Sequence, residues 1–87
     1  MKLLIVEDDP RVADFLQRGL RAEGYAPSAV GSAEEALPLL RSGGFSLALF
    51  DVMLPGKSGM ELCQQIRAEC IAVPVLMLTA MGSVQER

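Results

Sequence analysis

Four short apolar runs, separated by stretches with helical spacing and closed by acidic or turn-forming residues, set the tightest limit on how this chain can fold. Leu3–Val6 is continuously apolar, the pattern of a strand covered on both faces in a parallel sheet. It stops at Glu7-Asp8-Asp9-Pro10, where Asp9 can cap a helix that accepts Pro10 in its first turn. Val12, Phe15, Leu16 and Leu20 then share one face of a helix over Pro10–Glu23 and are expected to face the core, with Gly24 as the left-handed stop. Ala26–Val30 reads as a short second strand. Ser32 and Glu35 have the spacing of a capping box, opening a helix that turns Ala33, Ala36, Leu37 and Leu40 inward. Pro38 falls inside that helix, where it removes a hydrogen bond and should kink the axis, and Gly43-Gly44 end it.

Phe45–Phe50 is the third run, closing on Asp51. The turn-rich segment Leu54-Pro55-Gly56-Lys57-Ser58-Gly59 leads into a third helix over Met60–Ala68, with Leu62, Cys63 and Ile66 inward. Val73–Leu78 is a fourth strand ending at Thr79-Ala80, and Ser83 with Glu86 has the spacing of another capping box. The order β-α-β-α-β-α-β, with right-handed crossovers, predicts an α/β fold: an open parallel sheet with helices on both faces.

Eighty-seven residues suffice for one small domain and not for two. A net charge of −3 without a Lys/Arg cluster argues against a nucleic-acid surface on this chain. Leu3–Val6 is too short for a secretion signal, and no run approaches the ~20 apolar residues of a membrane span. The longest, Ile71–Ala80, is interrupted by Pro74. Cys63 and Cys70, in a chain without histidine, do not match zinc spacings and read as reduced, partly buried thiols of a cytoplasmic protein.

In open parallel sheets, ligands bind beyond the carboxyl ends of the strands. Glu7 and Asp8 follow the first strand, Asp51 ends the third and Thr79 follows the fourth, so all four are expected on one rim. Two unit charges about 4 Å apart repel by roughly 4 kcal/mol at an effective dielectric of ~20. Three carboxylates there must take up protons or hold a cation. A few carboxylates with positions open to water and phosphate suit Mg²⁺ better than Ca²⁺, and no EF-hand spacing is present. Asp9 reads more simply as a helix cap.

Leu4-Ile5-Val6-Glu7-Asp8-Asp9, Asp51-Val52-Met53-Leu54-Pro55 with Gly59, and Leu78-Thr79-Ala80 resemble, in wording and spacing, the signature segments of receiver domains of two-component response regulators. The resemblance runs from Met1 to Arg87 and implies a flavodoxin-like fold lacking the last strand and last helices, so residues 1–87 would be a partial receiver domain. It implies that Asp51 is the phosphoacceptor and Thr79 the switch hydroxyl. It also implies a metal set of Glu7, Asp8, Asp51 and the backbone carbonyl of Met53 around Mg²⁺, with Ala80 small where phosphate enters. The phosphodonor would be a histidine kinase. The Met-Leu-Pro-Gly wording resembles the subfamily with a winged-helix output domain, through which alone DNA would be bound and transcription regulated.

The family's continuation, a fourth helix, a fifth strand bearing a lysine and a fifth helix, has no counterpart here, and Lys57 is no substitute for that lysine. Val73–Leu78 then becomes an apolar edge, and the face beside the Pro10–Glu23 helix loses a covering helix. Both point to a homodimer. A haloacid-dehalogenase-type phosphatase would need a second aspartate where Met53 stands, and no glycine-rich phosphate loop follows the first strand. The competing reading is a degenerate, unphosphorylated receiver-like interaction module rather than an acceptor; neither is an enzyme.

Overall fold

The computed structural model describes residues 1–78. Seven elements follow in order: β1 (Lys2–Val6), α1 (Pro10–Ala22), β2 (Ala26–Val30), α2 (Ala33–Ser42), β3 (Leu47–Asp51), α3 (Gly59–Ala68) and β4 (Val75–Leu78). The strands form one sheet in the order β2-β1-β3-β4, every pair parallel. β1 is central, and Leu3, Leu4, Ile5 and Val6 are all buried, as a strand apolar at every position requires.

Alternate residues send the strands' side chains to two layers. Leu4, Val6, Ala48 and Phe50 pack with Ala33, Ala36, Leu37 and Leu40 of α2 and Leu62 and Ile66 of α3. The expected inward faces of α2 and α3 are therefore those observed, with Cys63 half-buried against the same cluster. The α2 helix runs unbroken through Pro38, which is exposed.

On the opposite layer α1 packs toward β2. Along the row Ile5–Leu49–Leu76, set by strand register, exposure climbs from 0 % to 7 % to 55 %. Cover is lost toward β4, which is an edge among the described residues. This explains a departure from the sequence expectation for α1. Only Ala13 is buried in that helix; Val12 is exposed, Phe15 is 70 % exposed, and Leu16 and Leu20 are half-buried. The apolar stripe is wider than the surface α1 covers.

The third and fourth strands are shorter than their apolar runs. Gly43 and Gly44 both take positive φ and turn the chain, so pairing begins only where the Ser46 N–H donates to the Lys2 carbonyl at 2.8 Å. Pro74 has no N–H to donate, and β4 starts after it. Caps settle the helix ends. Asp9 Oδ1 accepts from the Arg11 N–H at 2.9 Å, with Pro10 in the first turn. Ser32 Oγ accepts from the Glu35 N–H, but Glu35 reaches back to the Gly31 N–H rather than that of Ser32, so this box is incomplete. The fully reciprocal capping box is Ser58 with Glu61, which starts α3 at Gly59, one residue before the expected Met60. Cys70 is exposed rather than partly buried. The Ser83–Glu86 spacing lies outside the described residues.

Candidate functional site

The carboxyl ends of β1 and β3 are neighbours, Val6 beside Phe50, so the residues that follow them meet. Carboxylate oxygens of Glu7, Asp8 and Asp51 lie within 4.8 Å of one another. Glu7 is held by its backbone, whose N–H donates to the Val30 carbonyl at 3.0 Å and continues the β1–β2 ladder. Its side chain is the buried member at 8 % exposure, Asp51 is half-buried and Asp8 exposed. Glu7 Oε2 accepts from the Asp9 N–H at 3.0 Å, and Asp51 Oδ1 accepts from the Met53 N–H at 3.0 Å.

Burial, more than any neighbour, pushes the Glu7 carboxyl up to about 7. The Asp9 N–H opposes that rise, while a hydrogen bond with Asp51 and the charges of Asp51 and Asp8 add to it. Glu7 thus keeps a proton near neutral pH, beside two further carboxyls in a space that could hold a cation. Asp9 stands outside the cluster. It caps α1 and pairs with Arg11, whose guanidinium holds the Asp9 carboxyl below its ordinary value.

Asp51 is positioned by the chain around it. The Val52 N–H donates to the Leu78 carbonyl at 2.9 Å, and the Gly59 N–H donates to the Val52 carbonyl at 3.2 Å. A Cβ at Gly59 would fall 2.3 Å from the backbone oxygen of Asp51 and 3.2 Å from Val52 Cα. The loop can fold back over the end of β3 only because residue 59 has no side chain. The family resemblance marked Gly59 as part of a motif; the contact that requires it is visible only in three dimensions. Lys57 Nζ donates to Gln65 Oε1 on α3, so this lysine is engaged away from the acid cluster. Met53, whose carbonyl was expected near a metal, has an exposed side chain. Thr79 and Ala80 lie outside the described residues.

Residues 3–87 match the family model described as the response regulator receiver domain. The chain is 38 % identical over 87 residues to the transcriptional regulatory protein TcrA of Mycobacterium tuberculosis, covering all of this chain and 34 % of that protein. It spans about a third of the length of the curated relatives it matches. Among solved structures, it is similar to the response regulator protein TrrA of Thermotoga maritima in complex with Mg²⁺ and BeF, with a TM-score of 0.87 and 32 % identity over 97 % of this chain and 73 % of that one. It is similar also to TrrA in complex with the histidine kinase ThkA, with a TM-score of 0.86 and 31 % identity over 99 % of this chain and 74 % of that one. The parallel sheet and its helices are thus the flavodoxin-like receiver fold expected from the sequence.

Proposed function

The chain belongs to the response-regulator receiver family, and on that premise we propose that Asp51 accepts a phosphoryl group beside a Mg²⁺ ion held by Glu7, Asp8, Asp51 and the backbone carbonyl of Met53. The observation that carries this reading is the meeting of three carboxyls within 4.8 Å at the carboxyl end of a parallel sheet. The donor set fits the ion: all oxygen, partly open to solvent, and three carboxyls within reach of one another. When bound, the ion supplies neutralisation of the negative charge that gathers on the transferring phosphoryl oxygens.

The rest falls to this chain's own residues. The Met53 N–H fixes Oδ1 of Asp51, and we assign the other oxygen, Oδ2, as the nucleophile. The P–N bond of a phosphohistidine on a histidine kinase breaks as the P–O bond to Oδ2 forms, and the imidazole leaves and takes up a proton. The support for that donor is the kinase complex of a similar response regulator. Glu7, buried beside Asp51, would hold the ion as a carboxylate at the back of the site, in place of the proton it otherwise keeps. Thr79 supplies the hydroxyl that turns toward the phosphoryl group. In this reading residues 1–87 are a partial receiver domain that carries a signal rather than turning over a substrate.

The names of the relatives support an output in transcription, with DNA bound outside this chain; a cytoplasmic location and a winged-helix form for the DNA-binding domain belong to the same proposal. No helix among the described residues is long and apolar enough to cross a membrane. We also propose that the 87-residue chain forms a homodimer through the β4 edge, where Leu76 is more than half exposed. Sedimentation showing a concentration-independent monomer overturns that part. A degenerate receiver-like interaction module that is never phosphorylated is the second reading. Incubation with a small phosphodonor and Mg²⁺, read by intact mass, separates the two. A phosphate-sized gain lost in Asp51→Asn supports the acceptor; no gain on Asp51 with the remainder of the domain restored leaves the module.

A further inference from the structure

The loop between β3 and α3 starts and ends on hydrogen bonds of different kinds. At its start, the Met53 N–H orients Asp51. At its end, Lys57 donates to Gln65 Oε1, two turns along α3. The same Gln65 amide donates through Nε2 to Glu69 Oε2 at 3.1 Å, and Glu69 takes both arms of the Arg41 guanidinium, at 2.8 Å from Nε and 2.9 Å from Nη2. These four side chains form a line of charge-assisted bonds from the loop, along the outside of α3, to the last turn of α2.

The line has a direction. An ammonium at one end requires the amide oxygen of Gln65, and a carboxylate at the other requires its nitrogen, so the network allows the amide only one orientation. The Arg41 guanidinium, followed by Gln65, holds the Glu69 carboxyl well below its ordinary range. Between Met53 and Lys57 the loop contains Gly56 at φ +73°, a left-handed turn that glycine adopts without strain.

We infer that Lys57, Gln65, Glu69 and Arg41 act as a positioning relay, which fixes the far end of the β3–α3 loop to α2 so that the Met53 N–H stays aimed at Asp51. This inference rests on the reading of Asp51 as the acceptor. It assigns a role in the site to Arg41 and Glu69, which touch none of the three acids. Contacts within the helix pair alone do not require it: the buried side of α3 is already held by Leu62 and Ile66.

The direction of the line supplies the test. Gln65→Leu removes the middle of the relay. The double exchange Arg41→Glu with Glu69→Arg rebuilds an ion pair between α2 and α3, but places cations on both sides of the Gln65 amide, which cannot face both with its oxygen. The readouts are the ¹H–¹⁵N position of the Met53 amide in metal-free protein, the dissociation constant for Mg²⁺, and the melting temperature. The relay predicts that Gln65→Leu and the exchange both move the Met53 amide and weaken Mg²⁺ binding by at least about threefold, while the exchange retains the wild-type melting temperature. If the exchange keeps the wild-type Met53 position and Mg²⁺ affinity, the Arg41–Glu69 pair is only a brace between helices and the relay is overturned. Unchanged readouts in Gln65→Leu overturn it equally. If wild type binds no Mg²⁺, the acceptor reading fails, and the metal-free Met53 position still decides the relay.

Discussion

Gly59 Cα rests against the backbone carbonyl of Asp51, so closely that a methyl group on it would sit 2.3 Å from the oxygen. The contact joins the first residue of α3 to the last residue of β3, and the Gly59 N–H adds a hydrogen bond to the Val52 carbonyl. The two elements on either side of the Asp51 carboxylate are therefore packed backbone to backbone.

Gly59→Ala should cost about 2–4 kcal/mol, because the atoms in the way are main chain and cannot rotate aside. It should also displace Asp51, so Mg²⁺ should raise the melting temperature of the variant less than that of wild type. Gly19→Ala is the control. Gly19 lies in α1 at an exposed position with nothing within 4 Å of a new Cβ, so it should gain about 0.5–1 kcal/mol. Thermal unfolding of both proteins, with and without Mg²⁺, checks the pair.

Asp51→Asn removes one of three carboxyls whose oxygens lie within 4.8 Å of one another. The metal-free protein should therefore melt higher than wild type, by the few degrees that relief of about 1 kcal/mol gives a domain of this size. The rise that Mg²⁺ gives wild type through linkage should shrink or vanish in the same variant. A variant that melts lower than wild type in EDTA would show that the acids do not repel one another.

Cys70 follows α3 at the position Gly24 holds after α1. Both helices end with the same pair of bonds. Gly24 and Tyr25 donate to the Arg21 and Leu20 carbonyls, and Cys70 and Ile71 donate to those of Arg67 and Ile66. This Schellman ending demands positive φ, 94° at Gly24 and 62° at Cys70, where a side chain is strained. Cys70→Gly should stabilise the protein by about 0.5–1 kcal/mol, and Gly24→Ala should destabilise it by a similar amount. Chemical denaturation measures both without reference to ligand.

These cases show where sequence reasoning reaches and where it stops. Glu7, Asp8 and Asp51 could be placed together because parallel strands deliver their carboxyl ends to one rim whatever the side chains between. Leu3–Val6 could be read as a strand buried on both faces because a strand apolar at every position needs such cover. Phe15 misled because periodicity reports an apolar stripe, not how much of it the sheet beneath can cover. The Ser58–Glu61 box was visible as a spacing but hidden among turn residues, whereas the equally spaced Ser32 and Glu35 close only halfway. Glu7's burial, the Gly59 contact and the Lys57–Gln65 bond depend on how the loops fold back, which no local pattern encodes.

The raised Glu7 carboxyl makes stability depend on pH in a direction opposite to that of an ordinary salt-bridged acid. In the unfolded chain Glu7 titrates near its ordinary 4.5; in the fold it titrates at about 7, chiefly because it is buried and then because Asp51 and Asp8 adjoin it. Between those values the folded state binds more protons than the unfolded one, so stability falls as pH rises. The contribution is fully present below pH 4.5 and lost as pH passes about 7, a difference of up to about 3 kcal/mol. In EDTA, the melting temperature should therefore drop between pH 5 and pH 8 for wild type, and much less for Glu7→Gln, whose amide carries no titrating proton. Saturating Mg²⁺ competes with that proton, so it should flatten or reverse the wild-type slope, and its apparent affinity should strengthen as pH rises through 7. A wild-type melting temperature that climbs with pH in EDTA would mean that Glu7 is ionised in the fold, and that its charge is already balanced without a metal.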